Sequence, residues 1–571
     1  MRAATATAVG TGRGGAWPAA VLLALATLAC LPILRKGMPW GHDTRTHLVW
    51  AEHFARQLAA GELYPRWLAD VGDGFGAPVF FFYGPLAHYA AAALQPLLPG
   101  PTGLPWRLAV TGWLAVCASA LAAYAWLRRP LGAGPALFGA ATYALLPYHL
   151  LVDFVLRSAF AELVAFTWPP LVLAALERAR ETPRAALAGG ALATALLLLT
   201  HPPTALTSAP LAAGYAALLA ARARSARPLA VAAGQLALGT GLAGAYLATA
   251  LTHGRFVDED ALYTGYFHYA RWFLERPIRD AFLVVVYAHA AAAATFCAAC
   301  AAAVLATRRR APAADPAPAL ALSAAAAAGA LLFLMLPPSE PLWERIPLLH
   351  RIQFPWRLNA PLVVATAACA AATLRHVELA LPRLRPLAQG AAGALVVALL
   401  LFQLGAVTFD GSPFGYVPAS EALVGRVLAT GESPPEYRVP HERDPRELFP
   451  GGARAAFVEG AGEVRVAGWR ARRVELTVRA EGPARVAVRQ HAYPGWRAEL
   501  DGVPSGPPVA LRAWGVLAVD VPRGAHRVAL VLGPTPYERA GWAASAASLA
   551  LFAALVAVPR RAALSPSRSA R

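Results

Sequence analysis

The sequence is poor in charged residues, and almost none of them is lysine. Of 571 residues, only 15% are charged and 57% are hydrophobic, and the mean hydropathy is +0.46. Ordinary soluble domains carry about 25% charged residues, so this shortage excludes a wholly soluble protein and indicates several membrane spans. Lys36 is the only lysine among 51 basic residues, and the net charge is +18. The arginines cluster between apolar runs, as in cytoplasmic loops of membrane proteins, so we predict no nucleic-acid partner.

Cysteine is also scarce, which excludes an extracellular protein built on disulfides. All five cysteines lie in apolar stretches: Cys30, Cys117, Cys297, Cys300 and Cys369. Cys297 and Cys300 have CxxC spacing in an alanine-rich run, and we interpret them as packing residues rather than as a metal or redox site.

Apolar runs of roughly 20 residues, the length that crosses a bilayer, recur along the chain. The first, 17–34, is followed by no small-residue cleavage site, so we predict an uncleaved helix. The others lie near 106–126, 131–150, 159–176, 185–200, 204–221, 229–251, 281–306, 317–336, 360–374, 386–408 and 540–558. The arginine-rich loops between them predict twelve spans with both termini in the cytoplasm.

Residues 79–98 are apolar but do not fit this alternation, because one more span would reverse every loop that follows. Pro85, His88 and Pro96 interrupt the run. We therefore predict a re-entrant or interfacial hairpin on the outer face, of the kind that lines a cavity.

Residues 409–538 have the alternation of an antiparallel β-sandwich, in the runs 473–478, 484–489, 516–521 and 526–531, and turn residues such as Asp501 and Gly502. The predicted fold class is thus a polytopic α-helical membrane protein with a C-terminal β-sandwich and a final transmembrane helix. Its parts are a transmembrane module at 1–408 with a large first outer loop at 35–105, an extracytoplasmic β-sandwich at 409–538, and a last span with a basic cytoplasmic tail at 539–571.

Asp43 is the most informative polar residue of the first outer loop. Residues 46–60 have the pattern of an amphipathic helix lying in the membrane interface, and His42 and Asp43 precede it. In one interpretation Asp43 caps this helix. In the other, its carboxylate is a general base or a metal ligand beside the membrane.

Other polar residues reach the same predicted outer face. Asp153, Arg157 and Glu162 follow a span. In the structural interpretation, Asp153 and Arg157 form an ion pair at i, i+4. In the functional interpretation, Asp153 lies with Asp43 at one cavity and Arg157 binds a phosphate. His201 ends an apolar run before two prolines, either as a structural residue or as a ligand-binding one.

Arg351, Gln353 and Arg357 lie in an aromatic-flanked segment at another span boundary. Arginine suits phosphate recognition because its planar guanidinium bonds two oxygens at once. An interfacial anchor whose charged end reaches water is the alternative.

The first loop (GHDTRTHLVWAEHF at 41–54 and GELYPRWLADVGDGFGAPVFFFYGPL at 61–86), with VLRSAFAE at 155–162 and QFPWR at 353–357, resembles a known family. It is similar to the bacterial integral membrane proteins labelled 6-pyruvoyl-tetrahydropterin synthase-related. More widely, the architecture is similar to the GT-C superfamily of glycosyltransferases. The segment HAYPGWRAELDG at 491–502 resembles the end domain of YfhO-like membrane proteins.

This resemblance implies that Asp43 is the acidic catalytic residue of the first loop and that Asp153 is a second one. It also implies a divalent cation, magnesium or manganese, at Asp43 and Asp153, although the first loop has no DxD motif, which leaves metal dependence open. The residues then predicted to bind the substrate are His42, Arg157, Glu162, His201, Arg351, Gln353 and Arg357.

The implied function is an inverting glycosyltransferase in the bacterial inner membrane. It would move a sugar from a polyprenyl-phosphate donor to an extracytoplasmic glycan, lipid or protein, with the catalytic face and the β-domain outside the cytoplasm. A transporter or flippase of lipid-linked saccharides and a non-catalytic assembly factor are the alternatives. The sequence shows no internal repeat, and its polar residues concentrate at one interface rather than at the bilayer midplane, which favours the enzyme.

Overall fold

The computed structural model describes residues 16–274, 281–408, 415–417, 421–429, 431 and 434–557. Its α-helices are α1 (Trp17–Ala29), α2 (Leu31–Lys36), α3 (Thr44–Ala59), α4 (Val79–Phe82), α5 (Leu86–Ala93), α6 (Gly100–Leu131), α7 (Ala133–Leu145), α8 (Phe160–Ala165), α9 (Trp168–Leu176), α10 (Pro183–Thr200), α11 (Pro202–Ala223), α12 (Arg227–Leu242), α13 (Gly244–Thr252), α14 (Ala281–Thr307), α15 (Ala317–Leu334), α16 (Glu340–Arg345), α17 (Pro347–His350), α18 (Asn359–Ala380), α19 (Arg385–Thr408), α20 (Glu421–Ala429) and α21 (Pro536–Ala557).

Among the described residues, nine helical runs are long and apolar enough to cross a membrane, or up to ten if the bent pair α12–α13 is one span. Two shorter apolar helices, Trp17–Ala29 and Phe160–Leu176, coincide with two further predicted spans. Each of the twelve predicted spans therefore coincides with an apolar helix. How many of them cross the bilayer stays a prediction.

The span predicted at 229–251 is not one straight helix, because α12 and α13 meet at an angle of 78°. The last helix, α21, packs into this bend. Ser545 of α21 accepts a hydrogen bond from Ala245 N at 2.8 Å and donates to Leu242 O, 2.9 Å away. These bonds satisfy backbone groups that the break leaves without helical partners, which a break in an apolar environment requires.

Residues 79–98 form no continuous helix and contain only the short helices α4 and α5. A full crossing needs roughly 20 helical residues, so the predicted hairpin is the better description. At the turn, a Cβ on Gly84 would lie 2.3 Å from Thr200 O, so only glycine lets the hairpin approach the end of α10 this closely.

The C-terminal part contains two antiparallel sheets, with strand orders β1-β4-β8-β7 and β2-β3-β9-β5-β6. The strands are β1 (Ala455–Glu459), β2 (Gly462–Arg470), β3 (Arg473–Ala480), β4 (Ala484–His491), β5 (Trp496–Leu500), β6 (Val503–Gly506), β7 (Val509–Leu511), β8 (Val516–Val521) and β9 (Gly524–Leu532). Asp501 and Gly502 form the two-residue turn between β5 and β6, as predicted. The predicted fold class, a polytopic helical membrane protein with a C-terminal β-sandwich and a final apolar helix, is confirmed.

The β-sandwich packs directly on the first loop. Trp67 Nε1 donates to Gln490 Oε1 at 2.8 Å, and Gln490 Nε2 donates in turn to Ala69 O and Gly74 O. A buried ion pair joins the same loop to α21, since Arg66 Nη1 lies 2.9 Å from Glu538 Oε1. These contacts fix the loop that precedes the candidate site.

The amphipathic helix predicted at 46–60 is α3, and buried charges hold it against the bundle. Glu52 accepts a hydrogen bond from Arg107 Nη2 of α6 at 2.7 Å, and both side chains are at least nine-tenths buried. Because an unpaired buried charge is costly, this pair fixes the position of α3 beside the membrane helices.

Candidate functional site

The segment that carries His42 and Asp43 is joined by backbone hydrogen bonds to the segment that carries Arg157. His42 N donates to Leu156 O at 3.1 Å, and Asp43 N donates to Arg157 O at 2.8 Å. Gly41 allows this approach, because a Cβ there would lie 2.6 Å from Ser158 Oγ and 2.8 Å from Leu156 O. Two regions more than 100 residues apart in the sequence thus meet along one seam.

Asp43 precedes α3, but its side chain makes no capping hydrogen bond to that helix. The residue is half-buried and its side chain lines a cavity. The capping interpretation therefore fails, and the carboxylate is available to a molecule in the cavity.

Arg157 lies between two buried carboxylates. Its Nη1 donates to Asp153 Oδ1 at 2.5 Å and to Glu162 Oε2 at 2.7 Å. The Tyr148 hydroxyl donates to the other oxygen of Glu162 at 3.0 Å. The exposed side-chain fractions of Arg157, Asp153 and Glu162 are 6%, 0% and 2%. One guanidinium thus donates to two carboxyl groups, and the i, i+4 contact of the structural interpretation is present.

Asp153 lies behind this cluster and is absent from the cavity lining. The span predicted to end at residue 150 continues as a π-helical segment, Tyr148–Leu156, which turns Asp153 into the protein interior. Its Oδ2 is buried and has no hydrogen-bond partner among the described residues. Asp153 is therefore placed to hold Arg157 rather than to touch a ligand.

The segment at 351–357, predicted at a span boundary, completes the wall of the cavity. The Arg157 guanidinium lies over the Trp356 ring, 4.6 Å from its centroid, and Trp356 stacks on Phe354 at 4.9 Å. Arg357 lies over the other aromatic ring, Phe354, at 4.9 Å. Stacking fixes both cations at this wall. Arg357 Nε is buried and has no hydrogen-bond partner in the described part of the chain.

Arg351, Gln353, His201 and His42 also lie on the lining of this cavity. Arg351 forms an ion pair with Glu259 and donates to the Tyr263 hydroxyl at 3.1 Å, so it connects two loops. Gln353 has a φ of +71°, which is costly for a residue other than glycine and persists only where its surroundings enforce it. His201 Nδ1 lies 2.7 Å from Thr204 Oγ1, and His42 is exposed.

All nine candidate residues except Asp153 line one cavity of about 1420 Å³. Its polar end contains Asp43, Arg157, Glu162 and Arg357. Its other walls come from α9 to α13 and are apolar, with Val172, Leu173, Leu197, Leu206, Ala212, Leu236 and Leu247 among the lining residues. One space therefore joins a charged chamber to an apolar groove.

Sequence reasoning missed part of this lining. Glu436 and Tyr437 reach the cavity from the segment that precedes the β-sandwich, and His47 reaches it from α3. Burial lowers the pKa of His47 to about 4, so the imidazole is neutral at pH 7. Burial also raises the pKa of Glu436, and the nearby charge of Asp43 adds to the effect. The run Pro434-Pro435-Glu436-Tyr437, a charge beside prolines and an aromatic ring, is the signal that could have indicated this segment.

The residues do not fit the predicted cation site at Asp43 and Asp153. Asp153 is shielded from the cavity and its Oδ1 is bound by Arg157. Within the described ranges, no three His, Cys, Asp or Glu side chains are grouped as metal ligands. Magnesium and manganese need several oxygen ligands, and Asp43 without Asp153 does not provide them.

No family model and no curated protein matches the sequence. Among solved structures, the chain is similar to arabinofuranosyltransferase AftD from Mycobacteria, with a TM-score of 0.39 and 18% identity over 73% of this chain and 27% of that one. It is similar to the Archaeoglobus fulgidus oligosaccharyltransferase, with a TM-score of 0.42 and 14% identity over 78% and 59% of the two chains. It is also similar to ArnT from Cupriavidus metallidurans bound to undecaprenyl phosphate, with a TM-score of 0.34 and 13% identity over 81% and 98%.

The chain thus spans 27% of the length of AftD and 59% of that of the oligosaccharyltransferase. Because every identity is below 25% and every TM-score is below 0.5, these likenesses assign neither a superfamily nor a function, and the GT-C-like architecture stays a prediction. The resemblance to the 6-pyruvoyl-tetrahydropterin synthase-related proteins stays a prediction.

Proposed function

We propose that this protein is a membrane glycosyltransferase that moves a sugar from a polyprenyl-phosphate donor to an acceptor outside the cytoplasm. Asp43 is the general base, and Arg157 and Arg357 bind the phosphate of the donor. The proposed location is a bacterial inner membrane, with the cavity and the β-sandwich on the extracytoplasmic side.

The observation that carries this proposal is the single cavity with a charged chamber and an apolar groove. A polyprenyl-phosphate sugar has the same two parts, a polar sugar phosphate and a long apolar chain. The volume of about 1420 Å³ exceeds the roughly 300–1,000 Å³ of ordinary small-molecule pockets. A ligand of that size and dual polarity fits the cavity better than a soluble metabolite does.

Asp43 supplies the base that the transfer requires. The acceptor hydroxyl loses a proton to the carboxylate while its oxygen attacks the anomeric carbon, and the bond from that carbon to the phosphate oxygen breaks. A single displacement of this kind inverts the configuration of the anomeric carbon. The half-buried carboxylate, free of the helix-capping bond, is suited to this role.

Arg157 and Arg357 stabilise the negative charge that develops on the leaving phosphate. Both bonds from Arg157 to the carboxylates use Nη1, so, as far as the described residues go, Nη2 and Nε keep their donors for a ligand. The buried Nε of Arg357, which lacks a partner among the described residues, would gain one from a phosphate oxygen. Asp153 and Glu162 hold Arg157 in place for this contact.

Sugar transfer from radiolabelled polyprenyl-phosphate sugars, in membranes that contain the protein, tests this function. Replacing a catalytic base costs about 10²–10⁴-fold in rate, so Asp43→Asn should lose transfer by that factor while the protein remains in the membrane. Asp70→Asn is the matched control, because Asp70 lies in the same loop, is 53% exposed, and is absent from the cavity lining. Full turnover by Asp43→Asn, or no consumption of any donor by wild type, would contradict the proposal.

A flippase of lipid-linked saccharides is the second candidate, since the bent pair α12–α13 borders the groove and transporters often use broken helices. The same assay separates the two functions. A flippase moves the labelled lipid across the bilayer with its sugar still attached. In that case neither wild type nor Asp43→Asn transfers sugar.

A further inference from the structure

The segment between α20 and the β-sandwich lies along the polar end of the cavity. Pro434, Pro435, Glu436 and Tyr437 all line it. The Tyr437 ring packs edge-on against Trp50 of α3, with centroids 5.5 Å apart, and also lies near Phe82 of the hairpin. A segment from the C-terminal part is thereby positioned on the first loop and forms one side of the chamber.

A second contact holds Arg438, the residue directly after this segment. Asp258 N donates to the carbonyl oxygen of Arg438 at 3.1 Å. The loop that begins there also supplies Glu259, the partner of Arg351 at the cavity wall. The two residues after Glu436 are therefore held, and Tyr437 N and Arg438 N donate to Pro434 O and Pro435 O, which connects the residues before Glu436 to them.

No ion pair within the described part of the chain explains the place of Glu436. It is half-buried, and among the described residues no side chain forms an ion pair or a hydrogen bond with its carboxylate. Burial raises the pKa of Glu436 even though its own backbone N–H and the charges of Arg438 and Arg357 act to lower it, so burying this carboxylate is costly. Most buried carboxylates are paired, so a ligand group that bonds Glu436 would remove this cost.

The charges nearby indicate what that group is. The charge of Asp43 raises the pKa of Glu436 and each of the arginines Arg438 and Arg357 lowers it by less, so an anion bound directly between the two carboxylates would be repelled. Hydroxyl groups donate hydrogen bonds to carboxylates without bringing negative charge. The edge therefore suits a neutral molecule rich in hydroxyl groups, whereas Arg157 and Arg357 suit the phosphate.

We propose that the segment at 434–437 is the acceptor-binding edge of the cavity, where the Glu436 carboxylate accepts hydrogen bonds from the hydroxyl groups of a neutral saccharide. This inference rests on the proposed function only in naming that saccharide the acceptor. Tyr437 positions the segment through its contacts with Trp50 and Phe82.

Binding alone provides the first test. Saturation-transfer NMR on the full-length protein in detergent would use maltotriose, mannotriose and arabinotriose as probes. We expect at least one to bind wild type and to lose about tenfold or more in affinity in Glu436→Gln, since a hydrogen bond to a charged group is replaced by a neutral one. Glu442→Gln is the matched control, because Glu442 is exposed and is absent from the cavity lining. Equal affinities in wild type and Glu436→Gln, or no binding of any probe, would overturn the inference.

The transfer assay separates this inference from the proposed function. With the probe that binds as acceptor, Glu436→Gln should raise the KM for the acceptor about tenfold and leave the KM for the donor unchanged, and Glu436→Asp should recover part of the loss. Asp43→Asn should lower kcat instead. If wild type binds a probe through Glu436 but transfers no sugar, the proposed function fails and the saccharide site stands. If transfer occurs and Glu436→Gln changes only the donor KM, the acceptor edge is refuted.

Discussion

Replacing Arg157 should destabilise the protein far more than replacing either carboxylate that it binds. Removing one partner of a buried ion pair costs about 3–5 kcal/mol, because the remaining charge is left uncompensated. Arg157→Met leaves the buried charge of Glu162 uncompensated and also removes the donor to Asp153 Oδ1, so we expect the upper end of that range. Asp153→Asn and Glu162→Gln each leave Arg157 bonded to the remaining carboxyl group. Either should cost only about 1–2 kcal/mol, the difference between a charged and a neutral hydrogen bond.

Unfolding of the purified variants in mixed micelles of detergent and SDS, followed by far-ultraviolet circular dichroism, would measure these free energies. Arg465→Met provides the matched control, since the ion pair of Arg465 with Glu463 is exposed by 77% and 57%. Exposed pairs are worth less than about 1 kcal/mol. If Arg157→Met is as stable as wild type while Asp153→Asn loses several kcal/mol, the shared-guanidinium description is wrong.

Three further changes test other parts of the structure. Gly41→Ala should displace the backbone at Asp43 and lower kcat/KM in the transfer assay about tenfold or more, because the new Cβ would lie 2.6 Å from Ser158 Oγ. Gly189→Ala is the control and should have no effect, because a Cβ there meets nothing within 4 Å. Glu436→Gln should raise the thermal unfolding midpoint at pH 8. Because the pKa of Glu436 is raised in the folded protein, wild type loses stability as the pH rises above about 4.3, the ordinary glutamate value. The difference in midpoint between Glu436→Gln and wild type should therefore vanish in acid. Gln490→Leu should weaken the packing of the β-sandwich on the first loop by about 1–3 kcal/mol of free energy, because it leaves Trp67 Nε1 and two carbonyl oxygens without their partner. Limited proteolysis would then release the C-terminal part faster than in wild type.

Local patterns in the sequence predict much of this architecture. The length of the apolar runs predicted the helices, and period-two alternation predicted β3, β4, β8 and β9. The alternation of arginine-rich loops along the chain excluded a crossing at residues 79–98. The same alternation assigned the polar segments to the outer face of the membrane. The structure brings eight of the nine candidate residues to one cavity, although their roles stay predictions.

The remaining features depend on contacts between distant segments, which no local pattern contains. Asp153 and Asp43 looked equivalent as acidic residues near a span end, but the π-helical segment turns Asp153 inward. Glu436 reaches the cavity only because its segment packs on α3 and the hairpin. The bend between α12 and α13 depends on Ser545, some 300 residues away.

The buried charges around Arg157 are better explained by position than by stability. Apolar side chains of the same volume often stabilise a core as well as a buried ion pair does, so such a cluster is weak evidence of a stabilising role. Here the Arg157 carbonyl also accepts the backbone hydrogen bond of Asp43 at 2.8 Å. The residue that would bind the phosphate therefore holds, through its own backbone, the residue that would accept the proton. The separation of base and leaving group is then set by one rigid cluster, which is why Asp153, without touching the ligand, should still affect catalysis.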